Sequence, residues 1–288
     1  MNYENQAADC RQKIESALKT AIPGTVVEPL RGAMEYALLA PGKRLRPMLL
    51  HQAHELLKPA DSDAMDFAVA LEMIHAYSLV HDDLPAMDND VLRRGQPTCH
   101  VAYGEAMAIL AGDGLLSLAH ELMLSSAHPR ALQAAHEIST CAGVHGMVGG
   151  QALDIAYTGH QADRDLIERM QTGKTAALFR AAVCSGLILA GADDAQLAAG
   201  VNYSMGLGRA FQIIDDLLDL NGDIAQLGKT PGKDQAEGKL TWPTAVGERQ
   251  AREDALYWTQ YAVDALAPFG SRAVFLRETA LRALNRIS

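Results

Sequence analysis

The stretch from Ser62 to Asp83 constrains the fold more than any other part of the chain. Phe67, Leu71, Ile74 and Ser78 recur on one helical stripe, and Val69, Met73, Ala76 and Val80 on another. A helix that is apolar almost all round belongs inside a bundle, not on its surface. Asp61 or Ser62 can cap its start. Leu84-Pro85 stops it, because proline disfavours α geometry in the residue before it.

The remaining periodicity is helical as well. It predicts helices over 1–20, 28–40, 44–58, 103–126, 129–154, 163–171, 174–190, 194–220, 243–266 and 272–286. Pro47 is tolerable in the first turn of its helix. No alternating run is long enough for a sheet. The 288 residues are nearly half apolar and poor in aromatics, with Ala and Leu dominating, a mixture that favours helices over strands. The expectation is one all-α domain spanning 1–288. Asn221–Lys239, polar and rich in Gly and Lys, reads as a long loop beside something functional.

A net charge of −10 argues against nucleic acid or an anionic membrane as partner. The four cysteines, Cys10, Cys99, Cys141 and Cys184, make no CxxC pair, which fits a reducing, cytoplasmic setting. The polar start lacks a secretory apolar core. The longest charge-free apolar run, near Ala181–Ala192, is too short to span a bilayer, so no membrane insertion is expected.

Chemistry concentrates in two acidic motifs. His81-Asp82-Asp83-Leu84-Pro85-Ala86-Met87-Asp88-Asn89-Asp90 packs four aspartates into nine residues at the mouth of the apolar helix. Carboxylates this close repel one another unless cations hold them, and clustered oxygens suit Mg²⁺. A solvated acidic loop would read the same way. The second motif is Gln212-Ile213-Ile214-Asp215-Asp216-Leu217-Leu218-Asp219. Here three- and four-residue spacing puts acidic groups on one face of a helix that is otherwise Ile and Leu, where unpaired carboxylates are costly. Two such clusters some 130 residues apart can face each other across a bundle.

Basic residues punctuate the same neighbourhoods. Lys43 and Arg46 sit in Gly42-Lys43-Arg44-Leu45-Arg46-Pro47, Arg93-Arg94 follows the first motif, and Lys174-Thr175 follows Gly173 at a predicted helix start. Lys229, Lys233 and Lys239 follow the second motif. Each reads singly as a solubilising charge. Beside two acidic motifs they read as phosphate partners. His75 lies two turns before Asp82, about 10 Å along the helix.

Together these residues resemble the trans-prenyl diphosphate synthases, with their closest likeness to the farnesyl-forming bacterial type. HDDLPAMDND…RRG resembles the family's first aspartate-rich motif in its longer form, and QIIDDLLD its second. GKRLRP, GGQALD (149–154), TGKTAAL (172–178) and GKTPGKD (228–234) match further family segments in order. The resemblance implies antiparallel helices around a deep central cavity, a homodimer, and isopentenyl and allylic diphosphates as substrates. It implies three Mg²⁺ ions, held by Asp82, Asp88 and Asp215, with Asp83, Asp216 and Asp219 in support. Arg93, Lys174, Lys229 and Lys239 would grip the allylic diphosphate. Lys43, Arg46, His75 and Arg94 would bind isopentenyl diphosphate. Thr175 and Gln212 would line the path of the allylic cation, and Asp154 would orient basic residues. An aromatic at Tyr77 implies a fifteen-carbon product, with the small Ser78 leaving room for the tail.

Three features depart from the pattern. Asn89 replaces an aspartate of some relatives, Trp242 stands where many have Tyr, and Asn285-Arg286-Ile287-Ser288 lacks a basic closing motif, so the C-terminus receives no role at the site. A geranylgeranyl diphosphate synthase is the rival within the class. A terpene cyclase would carry one DDxxD motif and a differently built second one. A non-catalytic subunit of the same fold would lose its acidic motifs, and here both stand.

Overall fold

The computed structural model describes residues 2–160, 164–221 and 239–287. The helix expected from the apolar stretch is α4, Ser62–Asp82. Asp61 caps it by accepting the Ala64 N–H at 3.0 Å, and the faces of its middle turns are buried nearly all round. It is preceded by α1 (Tyr3–Leu18), α2 (Leu30–Leu38) and α3 (Leu45–Glu55). A short α5 (Cys99–Tyr103) follows, then α6 (Glu105–Ser125), α7 (Ala131–Ala142), α8 (Met147–Tyr157) and α9 (Arg164–Gln171). After α9 come α10 (Ala177–Ala190), α11 (Asp194–Asn221), α12 (Trp242–Val246), α13 (Glu248–Ala265) and α14 (Val274–Leu284). The fold is all-α, as the composition and periodicity predict. A two-residue ladder, Leu92–Arg93 against Gln96–Pro97, is the one β pairing among the described residues.

Packing follows the apolar faces. α4 lies along α6 and α3, α10 along α3 and α7, and α11 along α13. A first buried cluster joins α4 to α3, α6, α7 and α10 through residues such as Phe67, Leu71, Leu49, Leu115, Ile138 and Phe179. A second joins α9, the acidic end of α11, α12 and α13 through Ile167, Ile213, Leu217, Trp242 and Ala255.

Several helix boundaries differ from the sequence reading. The helix expected over 129–154 is two, α7 and α8, divided at Gly143–Gly146. A side chain at Gly146 would put its Cβ 1.9 Å from the Cys141 carbonyl oxygen, so the turn requires glycine there. The helix expected over 243–266 is divided at Gly247, whose φ is +84°. Conversely, no helix starts at Lys174. Residues 164–190 run as one rod, α9 passing through a π turn at Thr172–Ala176 into α10. Lys174 therefore has no helix N-terminus behind it.

The extent of apolar helix differs too. Two helical stretches, Glu105–Ser125 and Arg164–Ala190, are long and apolar enough to span a bilayer by length and composition. A test for charge-free runs misses them because each carries a few spaced charges. The second is largely buried in the fold, while α6 exposes Ile109, Leu110 and Leu124.

Candidate active site

The first acidic motif begins in the last turn of α4. Asp82 is desolvated there and has Asp88 and Asp83 as neighbours. Burial pushes its carboxyl up to about 6, against the Coulombic attraction of Lys174, which lowers it. Asp83 is buried and accepts from Arg93 through both carboxylate oxygens, with Arg93 Nη2 at 2.5 Å. Burial raises Asp83 despite this pair, and the ion pair raises Arg93 against its own burial. Arg93 is thus committed to Asp83 in this state. Arg94, at φ +52°, donates to the Pro41 carbonyl at 2.5 Å.

The second motif lies in the last turns of α11. Asp216 is a hub. It accepts from Gln171 Nε2 at 2.7 Å, Gln212 Nε2 at 2.8 Å and the Trp242 backbone N–H at 2.8 Å. Asp219 is buried, whereas Asp215 is partly exposed. Asp215 accepts from Arg286 at 2.8 Å.

One short segment touches both motifs. Lys239 reaches Asp88 at 3.4 Å while Trp242, three residues on, donates its N–H to Asp216. Across the π turn, Lys174 Nζ donates to Asp154 Oδ2 at 2.5 Å and the Thr175 hydroxyl donates to Gln212 Oε1 at 2.6 Å. Gly150 of α8 allows this contact: a Cβ there would lie 2.0 Å from the Lys174 nitrogen. π turns recur at functional sites because they re-aim side chains within a helix.

A third group gathers where α3 meets α4. Arg46 Nη1 lies 3.3 Å from His75 Nε2, and its guanidinium stacks 5.1 Å from the Phe179 ring centre. Burial and then Arg46 hold His75 well below the usual imidazole range, so its neutral ring can accept the Arg46 N–H. Burial lowers Arg46 to about 10, which leaves it charged at neutral pH. Burial also lowers Lys43, and Arg286 is the next cause. Arg44, at φ +51°, pairs with Glu72 and Glu15, each at 2.9 Å. These ion pairs hold the turn that carries Lys43 and leads to Arg46. A small cleft of about 50 Å³ lies beside this group, lined by Tyr36, Arg44, Glu72, His75, Arg93 and Arg94 among others.

Tyr77 is buried, its ring edge-on to His81 at 5.8 Å. His81 Nε2 lies 3.1 Å from the Ile109 carbonyl of α6. The Ser78 hydroxyl donates to the His75 carbonyl at 2.9 Å. Lys229 and Lys233 lie outside the described residues. Sequence reasoning missed Gln171, Arg44 and Arg286. The C-terminus given no role brings Arg286 onto the second motif. Gln171 had a usable signal, standing directly before Thr172-Gly173-Lys174. A lone Arg286 had none.

The bundle gathers two aspartate-rich helix ends among lysines and arginines, and its relatives place it in the prenyl transferase class. The polyprenyl synthetase family model matches residues 27–263. A farnesyl diphosphate synthase of Escherichia coli is 42% identical over 264 residues, covering 88% of each chain. A geranylgeranyl pyrophosphate synthase of Catharanthus roseus is 42% identical, covering 89% of this chain and 73% of its own. The solved structure of an FPP/GFPP synthase from Zymomonas mobilis superposes with a TM-score of 0.87 at 34% identity, covering 98% of this chain and 99% of that one. The chain belongs to the polyprenyl synthetase family.

Proposed function

We propose that this chain is a cytoplasmic, Mg²⁺-dependent prenyltransferase. It condenses isopentenyl diphosphate with dimethylallyl and then geranyl diphosphate and stops at (2E,6E)-farnesyl diphosphate. The observation that carries this reading is the shared site. The segment Lys239–Trp242 touches Asp88 of one acidic motif and Asp216 of the other, and the π turn bonds Gln212 of the second through Thr175 while Lys174 acts electrostatically on Asp82 of the first.

The donor set fits a hard divalent cation. Asp82, Asp88 and Asp215 offer oxygens, and a half-buried Asp82 raised to about 6 would gain from a cation that keeps it ionised. These three residues would hold three Mg²⁺, which when bound supply electrostatic stabilisation of charge on the departing diphosphate. Lys174, Arg93 and Lys239 are placed to exchange a carboxylate partner for the allylic diphosphate, and Lys229 joins them by resemblance. Lys43, Arg46, His75 and Arg94 would take isopentenyl diphosphate. Thr175 and Gln212 hold each other's polar atoms and would present oxygen to the allylic cation. The isopentenyl double bond attacks that cation, and the lost proton goes to the released pyrophosphate. Asp154 fixes the Lys174 ammonium. Asp216 is assigned to support, since Gln171, Gln212 and Trp242 already donate to it.

Tyr77 favours the fifteen-carbon product over the geranylgeranyl alternative. It lies about 7.5 Å behind Asp82 along α4, buried and backed by His81, and packed interiors accept extra methylenes only at a cost. We assign the chain a single catalytic domain. It pairs as a homodimer through the apolar face of α6, where Ile109, Leu110 and Leu124 are exposed. The test is incubation of the purified chain with Mg²⁺, isopentenyl and dimethylallyl diphosphates, followed by product chromatography. A fifteen-carbon product is expected. A twenty-carbon product would overturn the length assignment, and no condensation would overturn the reading itself.

A further inference from the structure

Arg286 is held at the second acidic motif by several features. Its Nη1 donates to Asp215 Oδ1 at 2.8 Å. Its guanidinium lies 5.6 Å from the ring centre of Phe211, one turn earlier on α11. The side chains of Arg286 and Asp215 are 19% and 32% exposed, so the pair is partly shielded from water. The tail that carries Arg286 is anchored on both sides. Leu284 and Ile287 pack against the second apolar cluster, and Arg252 Nη1 donates to the Ile287 carbonyl at 3.0 Å. Lys43, which begins the basic group near α3, lies within electrostatic reach of both Arg286 and Asp215.

A guanidinium and a divalent cation compete for the same carboxylate oxygen. Arginine does not deprotonate in proteins, so it can yield that oxygen only by moving. A bound diphosphate offers it a second anionic partner of matching fork geometry. We propose that Arg286 is a displaceable counter-ion of Asp215. With no diphosphate bound it neutralises the carboxylate and opposes metal there; with diphosphate bound it transfers to the phosphate oxygens and frees Asp215 Oδ1. The inference rests on the reading of Asp215 as a metal-holding residue. It makes part of the coupling between metal and diphosphate a property of one residue in the tail, and that coupling acts equally in both directions.

The test measures Mn²⁺ affinity by the loss of its free EPR signal. The full chain is titrated with and without inorganic pyrophosphate, comparing wild type, Arg286→Ala and Arg286→Gln. Gln keeps most of the side-chain length without the charge, so it controls for a detached tail. Without pyrophosphate, both variants should bind Mn²⁺ about two- to five-fold more tightly, the range for a partly exposed ion pair. The factor by which pyrophosphate tightens Mn²⁺ binding should shrink by a similar amount. Unchanged or weaker Mn²⁺ affinity in both variants overturns the inference. Asp215→Asn separates the layers. If it weakens Mn²⁺ binding while the Arg286 variants match wild type, only the inference fails. If it leaves Mn²⁺ binding unchanged, the metal reading of Asp215 fails and takes the inference with it.

Discussion

Gly150→Ala tests whether the seam between α8 and the π turn positions the reacting groups. The added Cβ would meet three backbone atoms: the Lys174 nitrogen at 2.0 Å, the Gly173 carbonyl carbon at 2.6 Å and Lys174 Cα at 2.7 Å. None of these can rotate aside. Ordinary contact begins near 3.4 Å, so α8 and the π turn must separate by about 1.4 Å. The Lys174–Asp154 contact spans that seam at 2.5 Å. Stretched by the same amount it reaches about 3.9 Å and ceases to be a hydrogen bond. Overpacking costs about 1–3 kcal/mol, and the better helix propensity of alanine returns up to about 1 kcal/mol. A misplacement of about 1 Å can cost about 100-fold in rate, which corresponds to about 2.7 kcal/mol of activation free energy. The expected variant is therefore folded, modestly less stable, and about 100-fold slower in kcat. Incorporation of labelled isopentenyl diphosphate gives kcat, and thermal unfolding followed by circular dichroism gives stability. A folded Gly150→Ala with kcat within about three-fold of wild type would refute the argument from positioning.

Three further outcomes are expected. Arg94→Ala and His75→Ala should mainly raise KM for isopentenyl diphosphate, and Lys174→Ala and Arg93→Ala should chiefly impair the allylic substrate. Steady-state kinetics with each substrate varied checks this, and four identical profiles would defeat the two-site assignment. Tyr77→Ala should lengthen the product towards twenty carbons and Ser78→Phe shorten it towards ten, both read by chromatography; an active Tyr77→Ala that still stops at fifteen would place the floor elsewhere. His54 is fully buried and its desolvation lowers it to about 4, so the unfolded chain, with its ordinary imidazole near 6.5, binds the proton first as pH falls. Stability should drop between about pH 6.5 and 4, by on the order of 2 kcal/mol at pH 5 from this residue. Chemical denaturation across that range should show a shallower pH slope in His54→Gln, and parallel slopes would remove His54 as the cause.

What could be read from the sequence was what local chemistry determines. Asp61 caps α4 and Pro85 lies just past its end, because caps and proline act within a few residues. The pairings Arg46–His75 and Thr175–Gln212 were foreshadowed only by the roles the resemblance implies for each residue, and the fold supplies the contact. The breaks at Gly143–Gly146 and Gly247 were missed because a helix tolerates a single glycine at moderate cost; only the nearby Cys141 carbonyl makes Gly146 obligatory. The π turn was mistaken for a helix start because Gly173 looks like an interruption. In space it is the point where α8 comes closest, with Gly150 Cα 3.0 Å from where its Cβ would be. Arg286 stayed silent because its contact with Asp215 crosses 71 residues.

The π turn also sets a phase. Before it, Ile167 and Met170 face the second apolar cluster; after it, Leu178, Phe179 and Ala182 face the first. A regular helix turns about 100° per residue, so the extra residue held in a π turn offsets everything downstream by about that angle. One continuous rod thereby presents its apolar face to two different cores. Removing a single residue between Thr172 and Ala176 would not merely shorten the rod. It would swing the buried side of α10 away from α3 and α7, so this short stretch carries a fixed residue count as strict as its residue types.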